Sequence, residues 1–401
     1  MPGHHGRALL AAATALLAAL AGSLTGCGSP EKAATDDTGS SAPLKVGLVY
    51  SKTGPLASYG KQYLEGFKAG LDYATEGTNK VGKRPVEVTE ADDAGDPAKA
   101  VSAAKDLIGQ GFTVLAGSTA SGVAVQVAPL AAQNQVLFIS GPAATDAITG
   151  VNGNTFRSGR QTWQDIRTAA SFLGDTAGKK VTVFAQDSAF GQANVTAVQT
   201  VLGGAGATVD KLLVPASATD LTPFASQVKA QAPNLLFVAW AGQTAQAMWT
   251  ALGQQGVFDS TTVVTGLDIT ATWPTYGPVA QKVSFLSHYF AGAAGTEVEK
   301  AMTERVTKAG GTVDLFTVDG FTAAQMVVRA GGHDDVPGMI RSLEGWSFDG
   351  VKGTVTVRAE DHALLQPMFQ VKLTGSATAP TATLVKKLDA DAVAPPIAAK
   401  K

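Results

Sequence analysis

Short apolar runs and longer amphipathic stretches alternate along most of this chain. Residues 45–50, 86–90, 113–115 and 136–139 are short runs bounded by Gly, Pro, Asp and Ser, the pattern of buried strands. Between them, apolar residues recur three and four positions apart. In 60–74, for example, Tyr63, Phe67, Gly70 and Leu71 share one face of a predicted helix. Helices over 97–110 and 122–134 complete a first series. Asp96 before Pro97 marks a helix start, the carboxylate capping free N–H groups while proline takes the first helical position. After a crossing at 156–162 the alternation restarts. Helices are predicted over 163–173, 190–202, 221–230 and 244–252, with strands over 180–185, 209–214, 235–239, 262–266 and 283–286. Helices over 297–309, 321–330 and 336–343 follow. Two such series predict an α/β protein with two doubly wound parallel-sheet lobes.

Length and charge narrow the class. At 401 residues the chain exceeds one ordinary core and suggests two domains. Lys plus Arg (31) nearly balances Asp plus Glu (33), which gives no electrostatic signature of nucleic-acid binding. The only cysteine is Cys27, so intrachain disulfides and cysteine-based zinc sites are excluded. Arg7 precedes an apolar run over 8–20, too short to span a bilayer comfortably, and Leu24-Thr25-Gly26-Cys27 closes it. That ending resembles the lipobox of bacterial lipoproteins, which implies a signal peptide over 1–27 and a lipid-modified Cys27. Each buried acyl methylene contributes about 0.8 kcal/mol, so several chains on one residue anchor a protein durably. Residues 28–43 form a polar tether without apolar periodicity. The expected location is extracytoplasmic, lipid-anchored to the outer face of the cytoplasmic membrane, and a monomer is expected.

Ligands of open parallel sheets bind beyond the carboxyl ends of the strands. That rule selects Tyr59 after the first strand, Ser118 and Ser121 after the third, and Ala143 and Thr145 after the fourth. In the second lobe it selects Asp187 and Phe190, then Trp240, then Asp268. One wall would carry hydroxyls and helix N-termini, the other aromatics and a carboxylate. A zwitterionic amino acid suits such a cleft. Its carboxylate would take hydrogen bonds from Ser121, Thr145 and the N–H groups opening helix 122–134. Its ammonium would face Asp268, because an unpaired buried cation costs several kcal/mol. Taken alone, the Gly/Ser-rich turns 117–122 and 140–145 also read as ordinary loops. Asp92 and Asp93 read as turn residues and not as metal or acid–base groups, since no His or Glu accompanies them.

The stretch TASGVAVQVAPLAAQNQVLFISGPAAT, with SKTGPLASYG and ADDAGDPAKAVSAAKDLI, resembles the leucine/isoleucine/valine-type periplasmic binding proteins. These are the type I solute receptors of branched-chain amino-acid ABC transporters, and the resemblance extends over about 44–373. It implies a multi-crossing hinge, with 44–162 and 288–362 in one lobe and 163–287 and 363–380 in the other. Residues 381–401 are left as a frayed tail. Tyr59, Ser121, Ala143 and Thr145 fall where the family holds the amino-acid backbone, and Asp268 where it usually has an acidic residue for the ammonium. Phe190 and Trp240 stand where relatives commonly have tyrosine, which makes this wall more apolar and leaves a bulkier or aromatic ligand as compatible as leucine. The resemblance implies ABC permease subunits as partners and closure of the lobes around the solute.

Signals of an enzyme are poor. G-x-S-x-G, H-E-x-x-H and P-loop motifs are absent, and His288, His333 and His362 are scattered singly. Ser102-Ala103-Ala104-Lys105 matches S-x-x-K inside a predicted helix with no second motif beside it. No cofactor and no metal are expected. The expected role is capture of a branched-chain or other apolar amino acid for an importer. A ligand sensor, or a receptor for an aromatic acid, amide or urea-like solute, stays open.

Overall fold

Strand β1 (Leu44–Tyr50) starts a six-stranded sheet with β2 (Lys80–Val81), β3 (Arg84–Asp92), β4 (Val114–Gly117), β5 (Leu137–Ser140) and β6 (Thr155–Arg157), in the order β2-β3-β1-β4-β5-β6. The computed structural model describes residues 41–242 and 244–398, so Cys27, the leader and most of the expected tether lie outside the described residues. All pairings in this sheet are parallel except β2 with β3. Parallel strands covered on both faces read as near-continuous apolar runs, and LKVGLVY in β1 is such a run. Helices α1 (Ala57–Ala74), α2 (Pro97–Gly109) and α3 (Ser121–Gln133) carry the chain back between strands. Asp96 caps α2 as expected, accepting from the N–H groups of Ala98 and Lys99, with Pro97 at the first turn.

Arg157 ends β6, and the chain then crosses to α4 (Thr162–Ala170). The segment 156–162, read as a simple crossing, therefore begins with the sixth strand of the first sheet. It is three residues long, too short for periodicity to show. The second sheet holds β7 (Lys180–Gln186), β8 (Thr208–Val214), β9 (Leu235–Ala239), β10 (Thr262–Gly266) and β11 (Val283–Ser287), all parallel. Helices α5 (Ala189–Val198), α6 (Thr222–Gln231) and α7 (Ala245–Gln254) connect them. The expected helix 190–202 widens into a π-helical turn at Gln199–Gly203.

Helices α8 (Glu297–Lys308), α9 (Thr317–Gly331) and α10 (Val336–Leu343) return to the first sheet, where α9 lies along α1. The two backbones meet closely. A Cβ on Gly66 would overlap the Thr317 carbonyl, and one on Gly320 would overlap that of Tyr63. A small antiparallel sheet of β12 (Ser347–Gly350), β13 (Gly353–Val357) and β14 (Leu364–Leu365) packs onto the same core. Then β15 (Met368–Ser376) pairs antiparallel with β11, and β16 (Ala379–Leu388) with β15, giving the order β16-β15-β11-β10-β9-β7-β8. The expected tail 381–401 is thus corrected in part: most of β16 lies within it. Mostly exposed positions hide this edge strand from hydrophobic patterning, and backbone pairing to β15 holds it.

Both sheets are sandwiched. Buried residues of α1, α9 and α10 cover one face of the first sheet, and those of α2 and α3 the other. On the second sheet, α6 and α7 cover one face and α4 and α5 the other. This is the doubly wound arrangement the alternation predicts. The described residues belong to one compact unit, Gly39–Lys401. Among them, no helix is long and apolar enough to cross a membrane.

Candidate functional site

The carboxyl ends of strands from both sheets line one cavity of about 460 Å3, within the usual range for small-molecule pockets. From the first sheet come Tyr59, the opening of α3 from Ala120 to Gly122, Pro142, Ala144 and Arg160. The second contributes Gln186, Phe190, Trp240 and the stretch Thr265–Asp268. The two α/β helix starts on opposite walls differ. Ser188 caps α5 by accepting from the Gly191 N–H, whereas no side chain caps α3 behind its N-cap Ala120. The first N–H groups of α3 are therefore left to an acceptor from outside the helix.

Asp268 provides the negative pole. Tyr59 Oη donates to its Oδ1 at 2.7 Å, and so does the Ile269 N–H at 2.7 Å. The Gly242 N–H reaches Tyr59 Oη at 3.4 Å. Tyr59 stands on α1 and Asp268 follows β10, so this hydrogen bond ties the two walls together. Burial pushes the Asp268 carboxyl up from its ordinary range, and the Tyr59 hydrogen bond opposes that rise. The Tyr59 phenol is held well above its ordinary value by burial and by the Asp268 charge. A second tie lies beside it: Asp314 accepts from Thr270 N–H and Oγ1 at 2.9 and 3.0 Å and from Gln62 Nε2 at 2.9 Å. Trp240 spends its Nε1–H on Thr244 Oγ1 at 2.9 Å, and it and Phe190 give the second wall its apolar surface.

Tyr59, Ser121, Phe190, Trp240 and Asp268 come together as the strand-end rule anticipates. Ser118, Ala143, Thr145 and Asp187 do not line the cavity. Ser118 is buried, with its hydroxyl 2.8 Å from that of Ser140. The buried Arg157 holds the carbonyls of Ala143 and Thr145 at 2.8 and 2.7 Å. The Thr145 hydroxyl caps the turn Asp146–Ile148, and its N–H donates to Ser121 Oγ at 3.3 Å. These residues brace the loops that carry Ser121, Pro142 and Ala144. Asp187 is exposed and accepts from Gln192 Nε2. Burial lowers Arg157 to about 10, against the opposing charge of Asp146.

Sequence reasoning passed over Arg160, Asp165, His288 and Phe316, all of which line the cavity. Reading β6 as a strand would have put Arg160 at the same sheet edge as Ser121. His288 follows the end of β11, so the strand-end rule applied once more would have found it. Phe316 follows no strand, and no local signal marks it. Burial pushes the Asp165 carboxyl up to about 6, opposed by Arg160. It also pushes the His288 imidazole down to about 4, opposed by Asp319, whose Oδ2 lies 3.5 Å from Nε2.

Two doubly wound sheets whose carboxyl edges enclose a cavity with an acidic pole and an uncapped helix start form a receptor for a small solute. The chain belongs to the periplasmic binding protein family, whose model matches residues 43–378, and within it to the ABC-type solute-binding proteins of the branched-chain amino-acid kind. A Leu/Ile/Val-binding protein homolog from Brucella melitensis is 26% identical over 82% of this chain and 91% of its own length. A crystal structure of an ABC-type branched-chain amino acid transporter from Rhodopseudomonas palustris is 30% identical, with a TM-score of 0.74, and the match covers 89% of this chain and all of that one. A solute-binding protein from R. palustris in complex with 4-hydroxybenzoate has a TM-score of 0.79 over 87% of this chain and 97% of its own. At 21% identity it shows the shared fold.

Proposed function

We propose that this protein captures an apolar α-amino acid, branched-chain or similar, between its two sheets and delivers it to the permease of an ABC importer, breaking and forming no covalent bond. The observation that carries the reading is the pairing of Asp268 with the uncapped start of α3 on facing walls of one cavity. A helix N-terminus favours a carboxylate, and a buried carboxylate favours an ammonium. Phe190 and Trp240 supply the apolar surface for the side chain between them. The names of the relatives support the same reading. Outside the membrane, a lipid on Cys27 would keep the receptor near its permease. Cys27→Ala should release the protein from the membrane fraction or leave it unprocessed.

A thermal-shift screen of amino acids, aromatic acids and amides on the full-length chain tests the ligand class. A ligand at a hundred times its dissociation constant stabilises by about 2.7 kcal/mol. Apolar L-amino acids should give the shifts. Shifts from aromatic acids alone would favour the second reading, for which Arg160 beside Phe316 in the same cavity is the supporting observation.

A further inference from the structure

A helix N-terminus offers N–H donors and about half a positive charge. A carboxylate withdrawn from water is stabilised further when a full positive charge faces it. Among the described residues lining the cavity, Arg160 carries a permanent positive charge. It follows β6, its side chain is 12% exposed, and its guanidinium carbon lies 5.8 Å from the centroid of the Phe316 ring. Nη1 donates to the Pro142 carbonyl at 2.8 Å, which holds the guanidinium in place. Asp165 Oδ2 lies 3.4 Å from Nε without the alignment of a hydrogen bond. Among the described residues, Nη2 has no hydrogen-bond acceptor. The Phe316 ring, on its other contact, lies 4.6 Å from the Tyr59 ring, whose hydroxyl holds Asp268. Phe316 therefore touches the cationic pole directly and meets the anionic pole through Tyr59.

We infer that Arg160 is the carboxylate anchor of the solute, its Nη2 and the N–H groups opening α3 gripping the carboxylate while Asp268 takes the ammonium. The inference rests on the solute-capture reading above and adds the residue that selects for an acid. Asp165, also on the cavity lining, is then a positioning residue that acts on the guanidinium by charge at 3.4 Å. Paired with only one long contact, Arg160 keeps capacity for a second carboxylate, and its planar fork suits one.

Titration calorimetry on the full-length wild type, Arg160→Gln and Arg160→Lys tests this with L-leucine, L-leucinamide and 4-hydroxybenzoate. Leucinamide keeps the ammonium and side chain of leucine and lacks its carboxylate. The wild type should prefer leucine. Arg160→Gln should weaken leucine by about thirtyfold or more and leave leucinamide within about threefold, erasing the preference. Arg160→Lys keeps the charge without the fork and should fall between. A purely structural Arg160 would weaken both ligands in parallel. That result, or leucine binding to Arg160→Gln as to wild type, overturns the proposal. Should Arg160→Gln not fold, Arg160→Lys decides by the same criterion: selective loss of leucine supports the anchor, and parallel loss overturns it. If the wild type ignores leucine and binds 4-hydroxybenzoate, the amino-acid reading fails by itself. Weaker hydroxybenzoate binding to Arg160→Gln then still supports the anchor, and unchanged binding overturns it. Binding of neither acid by the wild type overturns both.

Discussion

Replacing Asp268 by Asn isolates the charge of the negative pole. Both hydrogen bonds described above reach Oδ1, from Tyr59 Oη and from the Ile269 N–H. An amide oxygen in that position can accept both, so the tie between the walls survives and stability should change by less than about 1 kcal/mol. Only the charge facing the cavity is lost. Truncating one partner of a buried ion pair costs about 2–5 kcal/mol, and the lower bound is about thirtyfold in Kd. Calorimetry with L-leucine reads this directly. A melting experiment gives an independent check. At a leucine concentration a hundred times the wild-type Kd, the wild type gains about 2.7 kcal/mol, and a variant thirtyfold weaker gains about 0.9 kcal/mol. Leucine binding within about threefold of wild type, with the fold intact, would refute Asp268 as the ammonium site. A solute without an amine should bind Asp268→Asn more tightly than wild type, because the repulsion is gone.

Two further predictions concern stability. Alanine is the better helix former by about 1 kcal/mol, yet Gly66→Ala should destabilise by about 1–3 kcal/mol, because its methyl would overlap the Thr317 backbone of α9. An unchanged or raised melting temperature would contradict the close crossing of α1 and α9. His288, held down to about 4 from 6.5 chiefly by burial, gives a pH signature. The unfolded imidazole gains its proton near pH 6.5 and the folded one only near pH 4. The unfolded state thus binds more protons in that window, and this contribution weakens the fold as pH drops through it. Asp165, raised to about 6 from 3.8, acts in the opposite direction: folding keeps a proton there that the unfolded chain loses, and stability falls as pH rises from 3.8 to 6. His288→Gln removes only the first effect. Its melting temperature relative to wild type should climb as pH falls from 6.5 to 4, and a constant difference would refute the buried neutral His288.

Much of the frame was legible because local chemistry and tertiary role coincide. The run of β1 is apolar at nearly every position because the strand is covered on both faces. Asp96 before Pro97 writes the start of α2 into adjacent residues. Asp268 and Trp240 were found because parallel strands put their following loops on one edge. The strands β6, β12, β14 and β16 lacked such agreement. They are short or largely exposed, and all but β6 pair antiparallel, so hydrogen bonding and not hydrophobic periodicity defines them.

The amino-acid sequence by itself determined the alternation of strands and helices, hence two parallel sheets, and hence the sheet edge where a ligand must sit, since these follow from periodicity and chain reversal. Which loops at that edge face inward was decided by tertiary structure. Ser118, Ala143 and Thr145 have the right position in the chain, but Ser140 and Arg157 engage them behind the wall. Arg160 and Phe316 reach the cavity from a three-residue strand and from a loop no strand precedes. The physical reason is that a side chain's direction depends on which distant group satisfies its neighbours' hydrogen bonds, and that partner is named only when the chain has folded.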